Sequence, residues 1–478
     1  MKHTIIGRIA EMKILEQLLK SDRPELLAIY GRRRVGKTYL IKNYYAGHLT
    51  FSCSGECGGN TRTQLANFQQ QLNTWFPANR QLQPPANWQQ AFIMLRECFD
   101  AVKTKGKKVI FFDELPWLDT HKSGFLSAFG YFWNIYLSDR PDILAVICGS
   151  AASWMIKKIV NNKGGLHNRI TQRIRLLPFT LKETKDYLQH RNIRFSDYQV
   201  LQLYMVTGGI PHYLNAIKRG ESLHQTINNT CFAPNGLLAD EFQNLYAALF
   251  TNYEKHVHVI QALAKKNKGL TRNELLATGD LVTGGGLTAV LEELTESGFV
   301  EKTEPFDKKK KESLYRLADE FSLFYLRFMR GKNSKNDWLT ISKTGKYIAW
   351  CGYAFENVCM KHIPQIKKAL GISGISVAYC SWYRAGSKQA DGAQIDLLLD
   401  RSDNTIHICE VKFNIKQFVI DKRYNQLLQQ KITAFRESIS PGKGLLLAFI
   451  TTYGVADNEY KLQLVDNEIR MGSLFDGA

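Results

Sequence analysis

Nothing in the 478-residue chain approaches the unbroken apolar length needed to cross a bilayer. The opening residues, Met1 to Arg8, lack the apolar core of a secretory signal. Cysteine is sparse and poorly placed for chemistry. There are nine, an odd number. Cys53 and Cys57 are the only close pair before the C-terminal region, and no second pair completes a zinc quartet. Reduced thiols in a cytoplasmic protein without a membrane partner are the expectation. Acidic residues are also short: 44 against 63 basic ones, a net charge of +19. Such a surplus favours a polyanionic partner, because released counterions drive that binding. A basic but merely soluble enzyme has the same balance. The length predicts several domains, each able to bury a core.

What the chain does have begins at Glu25. An apolar run, residues 26–30, leads into Gly31-Arg32-Arg33-Arg34-Val35-Gly36-Lys37-Thr38. This is G-x-x-x-x-G-K-T between a buried strand and a helix start, the setting a phosphate-binding loop requires. The two glycines let successive N–H groups curl toward phosphate oxygens, and the helix N-terminus adds partial positive charge. Lys37 reaches the β- and γ-phosphates, and the Thr38 hydroxyl serves Mg²⁺. ATP and Mg²⁺ are therefore the expected cofactors.

A second motif lies 75 residues on. Lys108-Val109-Ile110-Phe111-Phe112-Asp113-Glu114 is a strand apolar on both faces that delivers two carboxylates at its end. Asp113 is the candidate metal ligand and Glu114 the candidate general base for the attacking water. Ser150 ends another apolar run, residues 143–149, as a γ-phosphate sensor or simply a helix cap. Arg169 is a candidate arginine finger or sensor, or a surface ion pair. Arg8, before a helical pattern at Glu11, Ile14, Leu15, Leu18 and Leu19, faces the adenine or lies at the surface. Gly208-Gly209-Ile210-Pro211 interrupts a helical region and predicts a fixed corner. His212 beside it is a nucleotide sensor or a packed histidine.

Together these residues resemble the prokaryotic STAND/AAA+ group of P-loop ATPases, often described as archaeal-type. The resemblance rests on Gly7-Arg8, the loop at 31–38, Phe112-Asp113-Glu114-Leu115-Pro116, Gly149-Ser150, Asn168-Arg169 and the 208–211 corner, and it spans about residues 1–250. It implies an α/β fold with a parallel sheet of about five strands, a helical lid and a nucleotide-driven switch. The family commonly has a tyrosine-glycine pair before the arginine, where this chain has His167-Asn168.

The remaining chain divides by pattern. Helical stretches at 257–264, 271–276 and 287–297 precede a β-hairpin, 299–302 with 314–317, whose tip is Asp307-Lys308-Lys309-Lys310-Lys311. That order is the winged-helix order. Its third helix is acidic (Glu292, Glu293, Glu296), which opposes deep groove insertion, while the lysine tip suits phosphates. DNA contact and a spacer that locks the ATPase stand as alternatives. Residues 331–348, with Lys332, Lys335, Lys343 and Lys346 against Asp337, read as a basic linker.

The last 130 or so residues carry a second constellation. Glu356 sits on a helix among apolar neighbours. Residues 394–399 and 406–412 form an antiparallel hairpin that can bring Asp396 beside Glu410, with Lys412 on the same face. Two carboxylates suit a hard divalent ion, and a lysine suits positioning of water for attack on phosphorus. Lys422, Arg423 and Gln426 follow on a helix expected to face the same site. Asp…Glu-x-Lys resembles the PD-(D/E)XK nuclease superfamily, which implies Glu356, Asp396 and Glu410 as metal ligands and Asp396, Glu410 and Lys412 as catalytic. A solvated strand face is the alternative.

The sequence thus predicts an ATPase core at 1–180, a lid at 181–250, a winged helix at 251–330, a linker at 331–348 and a nuclease-like domain at 349–478. The expected activity is ATP hydrolysis controlling a metal-dependent nuclease-like, DNA-binding domain. The alternative is a nucleotide-switched regulator that binds DNA or protein without cutting. An oligomer or a protein partner stays open.

Overall fold

Strands apolar on both faces are stable only inside a sheet covered on both sides. The computed structural model describes residues 4–77, 83–103, 106–160, 168–250, 252–266, 268–278, 285–306, 312–331, 338–384 and 392–477. The chain divides into two units, Met1–Leu177 and Pro178–Ala478.

The first unit is built on five parallel strands: β1 (Glu25–Tyr30), β2 (Leu49–Ser54), β3 (Lys108–Asp113), β4 (Ile143–Gly149) and β5 (Gln172–Arg175). Their order across the sheet is β2-β3-β4-β1-β5. Every residue of β3 and β4 is buried. On one face, helices Thr61–Trp75, Trp88–Asp100 and Phe125–Ile135 supply a dense aromatic layer around Phe51, Phe68, Phe92, Phe112 and Phe129. Neighbouring rings meet mostly edge-to-face, as at Phe112–Phe129, 5.5 Å apart. Asn60 and Asn87 cap two of these helices, each accepting from a backbone N–H of the first turn.

The second unit starts with short helices whose beginnings are written locally. Thr180, Ser196 and Ser222 each form a reciprocal capping box with Glu183, Gln199 and Gln225. The expected corner is present. Gly208 ends helix Asp197–Thr207 in the left-handed region, and Gly209 also has positive φ. A Cβ on Gly209 would stand 2.3 Å from the Phe179 carbonyl oxygen, and one on Gly208 2.6 Å from Glu320 Oε2. Glycine is required there by space as well as by φ. Pro211 then opens helix Pro211–Asn215 at its first turn.

Next come helices Tyr253–Leu263, Arg272–Leu276 and Gly285–Glu296, with an antiparallel sheet of β6 (Leu270–Thr271), β7 (Val300–Thr303) and β8 (Leu314–Leu317) in the order β6-β8-β7. The two-residue β6 is not foreshadowed by the sequence. Glu293 on the acidic third helix pairs with buried His256, 2.9 Å away. The lysine tip at 307–311 and the glycines at 279–284 lie outside the described residues, as do His167, Lys332 and Lys335.

The linker expectation meets a different structure after residue 337. Trp338 begins helix Trp338–Ser342 and is fully buried among Phe232, Phe324, Phe328 and Tyr347. Helix Gly345–Lys361 starts inside the expected linker. Lysines dominate the composition there, but the apolar residues between them decide the packing. The chain ends in a five-stranded mixed sheet: β9 (Val377–Arg384), β10 (Ala393–Arg401), β11 (Thr405–Lys412), β12 (Gly444–Thr451) and β13 (Asn467–Arg470), ordered β13-β12-β11-β10-β9. β9, β10 and β11 are antiparallel, while β11, β12 and β13 are parallel.

His362 joins two parts of this unit. Its Nε2 accepts from the Leu181 N–H at 3.0 Å, and its Nδ1 donates to the Val358 carbonyl at 2.7 Å. Burial lowers its pKa from 6.5 to about 4. Because the folded value is depressed, its neutral state favours the fold above pH 6.5, and that contribution is lost as pH falls toward 4. Urea unfolding should show about 2 kcal/mol less stability at pH 5 than at pH 7 from this group. A His362→Gln variant should lose that part of the difference; an unchanged pH profile would remove the assignment.

Candidate functional site

The first site forms at the carboxyl edge of the parallel sheet. β1 runs into the loop, and Tyr30 pairs in register with Gly149 of β4 and Arg175 of β5. Gly31 has φ +148, and a Cβ there would stand 2.3 Å from the Leu176 carbonyl oxygen. Arg34 and Gly36 also carry positive φ, curling the loop so that Gly36 caps helix Lys37–Tyr44. Lys37 is buried and donates to the carbonyls of Gly31 and Arg32, each at 2.9 Å. Its ammonium therefore closes its own loop in this state. Arg32, Val35, Lys37 and Gly31 are covered, whereas Arg33 is exposed.

Thr38 Oγ1 donates to Asp113 Oδ2 at 2.7 Å, and the Glu114 N–H donates to Asp113 Oδ1 at 3.0 Å. The two expected metal-serving side chains thus come together from separate motifs. Glu114 sits in the left-handed region at φ 46, where the strand turns into helix Leu115–Leu118. The Ser150 hydroxyl lies 2.8 and 2.7 Å from the two Glu114 carboxylate oxygens, and the Ser150 N–H donates to Oε2 at 3.2 Å. Ser150 therefore holds the candidate base. Neighbouring Cys148 is pushed well up by burial and by the Asp113 charge.

Arg8 is not at the surface. It is buried, donating Nη2 to the Val35 carbonyl at 3.0 Å and Nη1 to the Leu177 carbonyl at 2.8 Å. It clamps the phosphate loop to the chain leaving β5. Arg169 is an exposed residue in a turn before β5. The Thr171 N–H bonds Leu26, near the start of β1, while Leu176 bonds Tyr30 at its end. At roughly 3.3 Å per residue, Arg169 lies at the far edge of the sheet from the loop. The structure therefore does not bring Arg169 to the loop of its own chain, unlike Lys37, Thr38, Asp113, Glu114 and Ser150. His212 is exposed in the second unit, so the packed-histidine reading fails for it as well.

The second site lies on the C-terminal sheet. Leu397 pairs with Cys409 across β10 and β11, one step short of Asp396 and Glu410, and β10 is irregular against β9 between Ile395 and Leu398, where Asp396 sits. Glu410 is buried. Its Oε1 accepts from Lys431 Nζ at 2.6 Å, and its Oε2 accepts from the Tyr424 hydroxyl at 2.8 Å with Lys412 Nζ 3.4 Å away. Burial alone would raise its pKa, but Lys431 and Lys412 outweigh that and hold it below the usual range. Asp396 accepts from Gln394 Nε2 at 2.6 Å. Glu356 behaves oppositely: burial first and the Asp396 charge second raise it to about 8, against the opposing pull of Arg316 and Lys412.

Among the described residues no three His, Cys, Asp or Glu side chains gather as a metal-ligand set. The expected trio of Glu356, Asp396 and Glu410 is electrostatically coupled, yet Glu410 is compensated by ammonium groups. This donor set does not fit a metal as it stands. The helix expectation is also corrected. Lys422, Arg423 and Gln426 of helix Lys422–Arg436 point to solvent, and Tyr424 and Lys431 face the site. Those two sit seven apart on the stripe of buried Leu428 and Phe435, a spacing that could have identified them.

Residues 6–217 match a family model described as an ATPase domain predominantly from Archaea. The chain is 25% identical to the uncharacterized protein MJECL04 of Methanocaldococcus jannaschii over 440 residues, 89% of this chain and 91% of that protein. A stretch of 39 residues, 8% of this chain, is 44% identical to the uncharacterized ATP-binding protein MJ0423 of the same organism, covering 66% of it. Among solved structures, the Walker-type ATPase PABY2304 of Pyrococcus abyssi aligns with TM-score 0.52 at 20% identity, over 68% of this chain and 96% of that one. That likeness shows a shared fold. Residues 6–217 are thus similar to an archaeal-type ATPase domain, and ATP is the nucleotide that this similarity and the loop geometry support.

Two expected outcomes test this geometry. Arg8→Ala should weaken ATP and ADP alike by roughly tenfold, since it loosens the loop without touching a γ-phosphate; a loss confined to ATP in a titration with fluorescent nucleotides would contradict the clamp. Ser150→Ala should change the turnover rate while leaving ATP affinity within about twofold, because Ser150 acts on Glu114 rather than on the loop.

Proposed function

We propose that this protein is an ATP-hydrolysing switch whose ATPase domain controls a C-terminal, nuclease-like nucleic-acid-binding region. In the first unit, Thr38 and Asp113 offer hard oxygens 2.7 Å apart at the mouth of the loop, a donor pair that fits Mg²⁺. When bound, Mg²⁺ supplies charge neutralisation at the β- and γ-phosphate oxygens. Lys37 leaves the Gly31 and Arg32 carbonyls and turns its ammonium to the same oxygens. Glu114 takes the proton of the attacking water once Ser150 releases its carboxylate. Lys37 and Glu114 are the residues through which bound nucleotide would act on the loop and on the Ser150 strand end.

The observation supporting the C-terminal half is the β10–β11 hairpin, which carries Asp396 on one strand and, on the other, Glu410 with Lys412 Nζ 3.4 Å from it. These are residue types that phosphodiester chemistry uses. The helix–strand–helix–helix–hairpin order of residues 253–317 supports a winged-helix module before it. The net charge of +19 supports a nucleic-acid partner. A specific observation favours the second reading, binding without cutting: Lys431 and Tyr424 already satisfy both oxygens of Glu410. No metal-dependent step is therefore derived at this site.

The deciding experiment incubates plasmid and single-stranded DNA with the full chain, with Mg²⁺ or Mn²⁺, with and without ATP. Lys37→Ala should lower ATP turnover by more than roughly 100-fold. Lys412→Ala and Glu410→Ala should abolish cleavage while ATP hydrolysis survives. Cleavage undiminished in Glu410→Ala rejects the nuclease assignment. Salt-dependent DNA binding without any cleavage selects the binding switch.

A further inference from the structure

A cavity of about 240 Å³ opens within the second unit, between β7–β8 and the C-terminal sheet. Its walls include Lys268, Arg316, Tyr353, Tyr383, Glu356 and Asp396. The hairpin that forms one wall is anchored. The Phe306 N–H donates to the Ser381 carbonyl of β9 at 3.0 Å, and its ring meets Phe435 edge-on at 5.2 Å. The cavity therefore has built walls on both sides.

Its lining is unusual in one respect. Tyr353 and Tyr383 are 49% and 45% exposed, and Tyr379 beside them is 40% exposed. Tyrosines lining one hollow offer ring surface that the described residues leave 40–49% exposed. Lys268 Nζ lies 4.7 Å from the centre of the Tyr383 ring. Arg316 is positioned by Glu301 at 3.0 Å. The lining also carries Glu356 and Asp396. Flat faces, cations and carboxylates thus follow one another across a single hollow.

We propose that this cavity seats one nucleotide unit, the terminal nucleotide of a single nucleic-acid strand, with its base on the tyrosine faces and its phosphate toward Lys268 and Arg316. Base–aromatic stacking accepts any base because each has a π-face, and the adjoining cations track the backbone. The size agrees. At about 240 Å³ the hollow lies at the small end of ligand sites, a space for one nucleotide unit rather than a base pair. Asp396, on the cavity wall, would then face the first phosphodiester inward of that end. This inference rests on reading the C-terminal sheet as a nucleic-acid site, and it names the substrate as a free single-stranded end. A free mononucleotide shares the recognising chemistry, so the test separates the two sources.

The test uses the full chain in EDTA, so that binding is read without cutting. Strands of about ten nucleotides carry 2-aminopurine at the 5′ end, the 3′ end or the middle. Binding should quench the probe at one end and leave the middle probe unchanged. Tyr353→Ala with Tyr383→Ala should restore the fluorescence and weaken binding by roughly tenfold or more, while the two Phe variants stay within about twofold. These tyrosines are exposed, and unchanged ATP hydrolysis and circular dichroism confirm folding. Displacement of the strand by an equal concentration of mononucleotide would assign the seat to the free nucleotide and overturn the strand-end proposal. Equal binding by wild type and the Ala variants overturns the seat altogether, as does quenching of the middle probe alone. Absence of cleavage with Mg²⁺ or Mn²⁺ bears on the nuclease reading only, since end-specific quenching in EDTA would still stand.

Discussion

Gly31 lies against the carbonyl of Leu176 at a distance that no side chain tolerates, and much of the first unit is arranged around that approach. The contact lets β1 leave the sheet and curl at once, so the loop's N–H groups converge just beyond the strand ends. Asp113 and Ser150 arrive at the same edge because their strands are parallel and in register with β1 or its neighbour. Arg8 then fixes the loop from outside by holding Val35 and Leu177 together. One close backbone approach and one buried guanidinium thus position five functional side chains from three motifs.

Charge compensation organises the second unit in a comparable way. Glu320 is buried beside the Gly208 corner and held by Lys361 at 2.5 Å. Glu241, also buried, accepts from the Tyr213 hydroxyl at 2.7 Å. Glu410 has two lysines and a tyrosine. A buried carboxylate stripped of such partners is costly, because desolvation of an unpaired charge is not repaid. Glu356 goes furthest the other way: among the described residues no ion pair is recorded for it, and burial raises it to about 8.

The sequence makes the nucleotide site legible because its information is local. Gly31 to Thr38, and Asp113 with Glu114, are contiguous motifs whose flanking apolar runs identify the strands. Their meeting follows from the parallel α/β topology, and so does the five-strand sheet. The β10–β11 hairpin is legible for a similar reason, since the short turn at 402–404 leaves few registers. What escapes is long-range. Arg8 is defined by carbonyls 27 and 169 residues away, which no local pattern encodes. Lys431 was hidden behind the more conspicuous Lys422 and Arg423, although the apolar stripe of its helix marks the buried face. The lysines around Trp338 gave that segment the look of a linker, while a single large aromatic ring determined where it packs.

That ring has a consequence for how the protein comes apart. Trp338 draws on side chains from residues 232, 324, 328 and 347, and Phe306 likewise ties the hairpin to the terminal sheet. Removing such a buried indole typically costs about 3–5 kcal/mol, a large share of a domain's stability. The boundaries visible in the pattern of helices and strands are therefore not lines of weakness. Residues 178–478 should melt as a single cooperative block, and a fragment beginning at the terminal sheet would carry bare aromatic surface into solution.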